Sequence, residues 1–295
     1  MTLEQGDLLP VLLLLPTLTI VVVVMLIPLC YGVYISLFNY DIGGVLNAST
    51  FIGFGNYIDL AKDATVWRAL YNTVVFSVLA TMGDLLIGTV IAVLLHKLRP
   101  SVAGPLRAIT MMPLLVSPII VGLIWRYIYD PTSGILYWLL GLLGLGLKQV
   151  PGITQSSTAL LSVIIAHWWQ ITPFVILLVT AGLVSIPCEL YEAARIDGSS
   201  ELRTFFKISL PLLMPVYMVI LVISGVDTIK VFDIIYALTQ GGPANATLSL
   251  SIYAYNNAFQ MYRMGYAMAI SLLTMGVSLI LFGIPFIRFN RRGAR

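Results

Sequence analysis

Long uncharged apolar stretches dominate the sequence and limit what it can fold into. The first extends from Leu8 to Tyr40 without an Asp, Glu, Lys or Arg. About 20 consecutive apolar residues are enough for an α-helix to cross a bilayer. Apolar types form 59% of the 295 residues and charged types only 10%, and a soluble fold of this size could not bury so much apolar surface. The sequence therefore predicts a multi-pass membrane protein and excludes a soluble enzyme, a disordered chain and a nucleic-acid-binding protein.

Six stretches are long enough to span the membrane. The approximate predicted spans are 8–38, 69–95, 108–129, 158–184, 208–229 and 264–287. Solid runs of Leu, Ile and Val favour helices over barrel strands, in which apolar and polar residues alternate. We expect an all-α membrane protein in which residues 1–295 form a single transmembrane domain of six helices. The short, Gly-rich segment Ile135–Leu147 is predicted to be interfacial or re-entrant.

The positions of the basic residues predict the orientation of the chain. Ten of the 16 Lys and Arg residues lie between spans two and three, between spans four and five, or after span six. Because cytoplasmic loops are enriched in Lys and Arg, we expect both termini in the cytoplasm and the chain in the cell membrane, whether inner or plasma membrane. The two cysteines and two histidines show no metal-ligand spacing, so no metal site is expected.

The segment 186–211, between predicted spans four and five, contains strong helix starts and stops. Pro187 can open a helix, and Asp197-Gly198 is a typical helix end. One of Ser199–Ser200 can cap a second short helix, and Pro211 marks the entry into span five. The sequence therefore predicts a helix–turn–helix on the cytoplasmic side. An amphipathic helix lying on the lipid surface remains the alternative.

This segment also resembles a known signature. Glu192–Ala194, Asp197–Gly198 and Ile208–Pro211 read EAA, DG and ISLP, and their spacing is similar to the EAA loop of binding-protein-dependent ABC importer permeases. Phe51–Tyr57 and Leu238–Pro243 resemble further stretches of that family. The second of these is typical of its carbohydrate branch, in particular the maltose-permease-like first subunit of a heterodimeric pair. The resemblance covers nearly the whole chain.

The resemblance implies a type I ABC importer permease fold and a set of partners. These are a second permease subunit, two ATPase subunits on the cytoplasmic face and an extracytoplasmic solute-binding protein. The residues that it implies for contact with an ATPase are Glu192, Ala193, Ala194, Asp197 and Gly198. Independently, the chain contains no GxxxxGK[ST] phosphate-binding loop. We therefore expect a non-catalytic subunit with no cofactor of its own, in which ATP and Mg²⁺ are bound by the partner subunits.

Polar residues within the spans are candidates for the transport path. A sugar is bound by hydrogen-bonding groups together with aromatic faces, and spans four and five supply both. By position relative to the EAA and Gly-Gly-Pro landmarks, the resemblance places the path there. The residues expected to line it are Trp169, Gln170, Thr172, Phe174, Ser224, Asp227, Thr228 and Lys230. For Trp168 and Trp169, an interfacial aromatic belt is the alternative.

Charged residues leave further alternatives open. Asp84, deep in span two, is either functional or a buried acid paired with a basic or backbone group. Asp227, Lys230 and Asp233 are spaced so that they either neutralise one another or line a cavity. The expected function is import of a sugar, in particular a di- or oligosaccharide. The alternatives are a glycerol phosphoester or polyol on the same fold, and a proton-coupled secondary transporter.

Overall fold

The computed structural model describes residues 5–142 and 152–293, which are almost entirely helical. The helices, in chain order, are α1 Gln5–Val21, α2 Ile27–Ile35, α3 Gly55–Lys62, α4 Ala64–Lys97, α5 Pro100–Met111, α6 Pro118–Ile128, α7 Ile135–Leu142, α8 Ala159–Val184, α9 Cys188–Ile196, α10 Glu201–Thr204, α11 Leu210–Ile229, α12 Asp233–Leu238, α13 Leu250–Tyr255, α14 Met264–Ser278 and α15 Ile284–Gly293. Single π-helical turns join α1 to α2, α10 to α11 and α14 to α15.

Five of these helical stretches are long and apolar enough to cross a membrane by themselves. They are Leu13–Ile35, Ala64–Lys97, Ala159–Val184, Glu201–Ile229 and Met264–Phe289. A sixth candidate is the pair Pro100–Leu115 and Pro118–Ile128, taken as one broken span. The described residues therefore confirm the all-helical membrane class, with five candidate spans, or six when the bent pair is counted as one span.

The third span differs from the sequence prediction. Residues 108–129 were expected to form one uninterrupted helix, but the axis bends by 98° between Leu115 and Pro118. Two prolines explain the break, because Pro113 and Pro118 donate no backbone hydrogen bond and their rings obstruct a continuing helix. The predicted piece at Ile135–Leu147 is seen as helix α7 as far as Leu142, and residues 143–147 lie outside the described part of the chain.

Two compact units can be distinguished by their internal contacts. The first contains the described residues up to Val66 together with Tyr253–Leu273. In this unit the buried Asn56 amide donates to the carbonyls of Ser36 and Phe38, at 2.7 and 2.9 Å, and so ties the start of α3 to the end of span one. The stretch Phe51–Tyr57 therefore contains a structural hydrogen-bonding residue at the end of the first span.

The second unit contains the described residues from Trp67 to Ile252 and from Thr274 onwards. One core of this unit lies between α4, α8 and α11. Its buried members are Ala92, Leu95, Val175, Ile176, Val179, Leu183, Ile186, Leu213 and Ile220. Gly182 allows α8 and α11 to approach closely here, since a side chain at this position would overlap Leu213. The core holds α8 and α11, the two helices that flank the segment 186–211.

Candidate functional site

The segment between α8 and α11 has the predicted helix–turn–helix form. Pro187 is the N-cap of α9, which ends at Ile196 with Asp197 as its C-cap. Gly198 follows with a φ of +70°, a left-handed conformation that glycine adopts without steric cost. The backbone N–H of Ser199 donates to the Ala194 carbonyl at 2.9 Å and closes the helix end.

The second short helix begins as its sequence predicts. The Ser200 side chain accepts a hydrogen bond from the backbone N–H of Arg203 and so caps α10. A π-helical turn, Phe205–Ser209, then leads into α11, with Pro211 in the first turn of that helix. We call residues 186–211 the EAA loop below.

The EAA loop presents both charge and apolar surface to its surroundings. Glu192 and Ala193 are exposed, whereas Ala194 is buried against the rest of the chain. The large apolar side chains exposed on this loop are Leu190, Ile196, Leu202 and Phe206. Ile196 is 87% exposed, although a loop in water with no partner gains nothing from exposing such a side chain. Exposed apolar groups of this kind mark interaction surfaces.

One contact braces the EAA loop internally, and a second fixes it to the transmembrane helix α4. The Tyr191 hydroxyl lies 3.0 Å from the Ser209 hydroxyl and joins α9 to the π-helical turn before α11. Lys97, at the end of α4, forms a salt bridge with Glu201 at the start of α10. The loop is therefore connected to α4 as well as to α8 and α11.

Asp84 is completely buried in α4 and has partners on α8. Its Oδ2 lies 3.2 Å from Nε2 of His167, and its Oδ1 accepts a hydrogen bond from the Thr172 hydroxyl at 3.3 Å. The His167 ring also packs edge-on against Phe76. Of the two alternatives for Asp84, the structure shows a buried pair. His167 was not predicted as the partner of Asp84, although a buried acid requires one and the sequence contains only two histidines.

Several residues predicted for the substrate path make hydrogen bonds inside this chain. Gln170 is buried and donates from Nε2 to the Val116 carbonyl at 2.9 Å. Thr172 donates to Asp84, as described above. The Thr228 hydroxyl is fully buried, lies 2.5 Å from that of Ser77 and donates to the Gly225 carbonyl. These three side chains join helices to one another within the second unit.

The other predicted path residues have more accessible positions or unused groups. Trp169 is 40% exposed and Phe174 is half-buried. Asp227 and Lys230 form an exposed ion pair at 3.0 Å, which supports the self-neutralising alternative for these two. The buried Ser224 hydroxyl has no hydrogen-bond partner among the described residues. The predicted path residues thus differ in how far their polar groups are already bonded to other residues of this chain. The role of all of them in transport stays a prediction.

Comparison with known proteins assigns the chain to a family. The family described as "Binding-protein-dependent transport system inner membrane component" matches residues 84–292. The chain belongs to this family. The matched region contains the whole EAA loop and confirms the resemblance seen in the sequence.

Individual relatives of this permease family are similar over nearly the full chain. The trehalose/maltose transport system permease protein MalF of Thermococcus litoralis is 37% identical over 280 residues, which cover 95% of this chain and 92% of that protein. The trehalose transport system permease protein SugA of Mycobacterium tuberculosis is 32% identical over 261 residues, or 88% and 82% of the two chains.

A solved structure shows the same fold. The crystal structure of a bacterial ABC transporter involved in the import of the acidic polysaccharide alginate superimposes with a TM-score of 0.83. The superposition covers 98% of this chain and 96% of that one, at 23% sequence identity. The helices therefore have the arrangement of a type I ABC importer permease.

Proposed function

We propose that this chain is one permease subunit of an ATP-driven importer and forms half of the membrane path for a sugar, in particular a di- or oligosaccharide. A second permease subunit completes the path, two ATPase subunits dock on the cytoplasmic face, and an extracytoplasmic binding protein delivers the sugar. The chain itself is non-catalytic.

The geometry of the EAA loop is the observation that carries this proposal. A rigid helix–turn–helix with an exposed Glu192 and exposed apolar side chains suits docking into a partner cleft. Because α9 directly follows α8 and the loop leads into α11, a movement of the docked partner reaches both spans as a rigid-body rotation. The buried core between α4, α8 and α11 supports such transmission, since closely packed interiors pass on displacement instead of absorbing it.

Sugar as the substrate is supported by the relatives and by the residues of spans four and five. The relatives named for trehalose or maltose transport match nearly the full chain. Trp169 and Phe174 offer aromatic faces, and Ser224 carries an unused hydroxyl. We infer that these residues contribute to the path, together with Gln170, Thr172, Asp227, Thr228 and Lys230.

The two alternative functions have less support. A glycerol phosphoester favours cations that face the path. Of the two candidates, Lys230 is paired with Asp227, and Arg126 is an exposed residue in the last turn of α6. A proton-coupled secondary transporter would not need the EAA loop. Its proton-carrying candidate Asp84 is enclosed by His167 and Thr172.

Co-purification from native membranes tests the proposal. The chain is tagged at its C-terminus and extracted in mild detergent, and the bound proteins are identified by mass spectrometry. We expect a second permease and two copies of an ATPase. Recovery of the chain alone or as a homodimer, in several detergents and with no ATPase, contradicts the proposed function.

Substitution of Glu192 tests the role of the EAA loop within the same assay. Glu192→Ala removes an exposed charge at the proposed docking surface and should lower ATPase recovery and sugar uptake at least tenfold. Glu189→Ala is the matched control, because Glu189 is an exposed carboxylate in the first turn of the same helix. Equal ATPase recovery with both variants would exclude Glu192 from the contact.

A further inference from the structure

Helix α4 lies against α8 along a line of close contacts. The indole Nε1 of Trp168 donates to the Ala80 carbonyl at 3.0 Å. A side chain at Gly83 would overlap the Trp168 ring, and one at Gly88 would overlap Val175. Asp84 meets His167 between these two glycines. We call this line of contacts the α4–α8 seam.

The seam combines contacts that resist sliding with contacts that do not. Glycine against an apolar side chain gives close packing but no directional bond, so small shifts cost little electrostatic energy. Outside the seam, the Lys97–Glu201 salt bridge joins α4 to the EAA loop and is directional, but its side chains are 50% and 79% exposed. Exposed pairs are screened by water and salt and stabilise little.

The Asp84–His167 pair differs because it is buried. The Asp84 side chain is fully buried and that of His167 is 7% exposed. Within the described part of the chain, neither Oδ2 of Asp84 nor Nε2 of His167 makes a hydrogen bond of standard geometry, and their 3.2 Å contact is the polar contact that each atom makes. Moving α4 away from α8 would leave a polar group on each helix unpaired in an apolar environment, which is costly. Together with the Trp168–Ala80 and Thr172–Asp84 hydrogen bonds, this pair holds the two helices in one register.

The position of the pair connects it to transport. The EAA loop follows α8 directly in the sequence, so a movement of the loop reaches α8 through Ile186. Helix α4 is distant from the loop in the sequence and is moved only through its side-chain contacts. We propose that Asp84 and His167 are positioning residues that make α4 follow α8 when the EAA loop is displaced. The inference rests on the proposed function, since it concerns how ATP-driven movement spreads through the permease. Loss of the pair should therefore uncouple ATP hydrolysis from import.

Two double variants separate this role from simple stabilisation. Asp84→Leu/His167→Leu replaces the pair by apolar side chains, which often preserves the stability of a buried site. Asp84→Asn/His167→Gln keeps a hydrogen-bonding pair but can neither ionise nor carry a proton. The complete assembly with its binding protein is reconstituted in liposomes, and sugar imported per ATP hydrolysed is measured with radiolabelled maltose and trehalose.

We expect the Asp84→Leu/His167→Leu variant to assemble and to hydrolyse ATP at a rate within twofold of that of the unaltered protein. The amount of sugar imported per ATP should fall at least fivefold. In the Asp84→Asn/His167→Gln variant, the amount of sugar imported per ATP should stay within twofold of that of the unaltered protein. Tyr217→Phe is the control, because it removes a 3.0 Å contact between the Tyr217 and Thr89 hydroxyls that joins α4 to α11 outside the seam. Its ratio should not change.

Two results would overturn the positioning role. One is an unchanged ratio with the leucine pair. The other is an equal loss with the amide pair, which would indicate charge or proton transfer at Asp84. If the Asp84→Leu/His167→Leu variant does not assemble, the exchanged variant Asp84→His/His167→Asp is measured instead. The proposal is supported if this variant imports as much sugar per ATP as the unaltered protein, and it is refuted if the amount of sugar per ATP falls. By contrast, an unaltered chain that co-purifies with no ATPase and no second permease contradicts the proposed function itself.

Discussion

Gly198 shows how a single backbone torsion shapes the EAA loop. Its φ of +70° reverses the chain between α9 and α10, and an added Cβ would meet no atom within 4 Å. Any cost of a side chain at this position therefore comes from the backbone conformation and not from crowding. For an L-residue this conformation costs about 1–2 kcal/mol.

Gly198→Ala should therefore weaken docking of the ATPase subunit. A conformational cost of about 1–2 kcal/mol at the turn corresponds to a roughly 5–30-fold loss of apparent affinity for the ATPase. This affinity is measured by titrating purified ATPase onto the permease pair. Gly104→Ala is the control. Gly104 lies inside helix α5 with no atom near the added Cβ, so this change should leave the affinity unaltered. Equal affinity for the Gly198 variant would show that the turn tolerates a side chain.

Asp63 is a second residue whose surroundings make a measurable prediction. Its Oδ2 accepts hydrogen bonds from the hydroxyls of Tyr253 and Tyr266, at 2.6 and 2.8 Å, and its Oδ1 accepts one from the backbone N–H of Thr65. Burial by itself raises the pKa of Asp63, but these hydrogen bonds outweigh it and hold the pKa below the usual value. The first compact unit is therefore stabilised by the ionised carboxylate.

The sign of this pH dependence follows from the lowered pKa. The stabilisation is fully present above the unfolded pKa, near 3.9, and is lost as the pH falls through the lower folded value. Asp63→Asn should lower the thermal midpoint at pH 7, and the difference from the unaltered protein should shrink between pH 5 and pH 3. Asp59→Asn, at an exposed position in α3, should show no such trend. A constant difference for Asp63→Asn would refute the assignment.

The residues of the EAA loop could be predicted from the sequence, whereas the partner of Asp84 could not. Ser200 and Gly198 act within a few residues of their own position, so capping rules identify them directly. His167 lies on another helix, and its contact with Asp84 depends on how α4 and α8 are packed. Hydropathy identifies the buried acid but contains no information about which distant side chain faces it.

At the scale of the elements, the broken third span was the main difference from prediction. A hydropathy window detects apolar residues but is insensitive to a change of axis, although Pro113 and Pro118 both lie in the affected stretch. The break frees backbone groups inside an apolar environment. Gln170 compensates in part, because its side chain donates to the Val116 carbonyl. Irregular backbone at such depth is tolerated where neighbouring helices satisfy it in this way.

Gln170→Leu should destabilise the chain by leaving that carbonyl unpaired. We expect a loss of about 1–3 kcal/mol in the free energy of unfolding, measured by thermal or denaturant unfolding in detergent. Thr180→Val on the same helix is the control, since the buried Thr180 hydroxyl has no partner among the described residues. The control should be neutral or slightly stabilising. A neutral Gln170→Leu would mean that water or another group already satisfies the Val116 carbonyl.

At the scale of the whole molecule, the helical class and the family could be predicted because both depend on long patterns. Uncharged runs gave the spans, and the widely spaced EAA signature gave the family. Orientation depends on the distribution of basic residues and stays a prediction. The chain provides its own probe, because Cys188 is exposed at the start of α9.

In a Cys30→Ala background, a membrane-impermeant thiol reagent should label Cys188 in inside-out vesicles but not in intact cells. A further variant, Cys30→Ala/Cys188→Ala/Val45→Cys, carries one cysteine in the loop after span one, where Val45 is 72% exposed. This variant should show the opposite pattern, because the loop is predicted to be extracytoplasmic. The reverse result for both cysteines would place the EAA loop outside the cell and contradict docking of a cytoplasmic ATPase.

The contacts of Asp84 also have a consequence for biosynthesis. Thr172, the later of its two partners, follows 88 residues downstream. At roughly 5–20 residues per second, Asp84 is synthesised about 4–18 seconds before that partner exists. An aspartate at the centre of a lone helix opposes membrane insertion by about 2.5–3.5 kcal/mol. The strongly apolar residues that flank Asp84 in α4 must offset this cost during translation. Lengthening the chain between α4 and α8 should therefore delay folding of the newly synthesised protein.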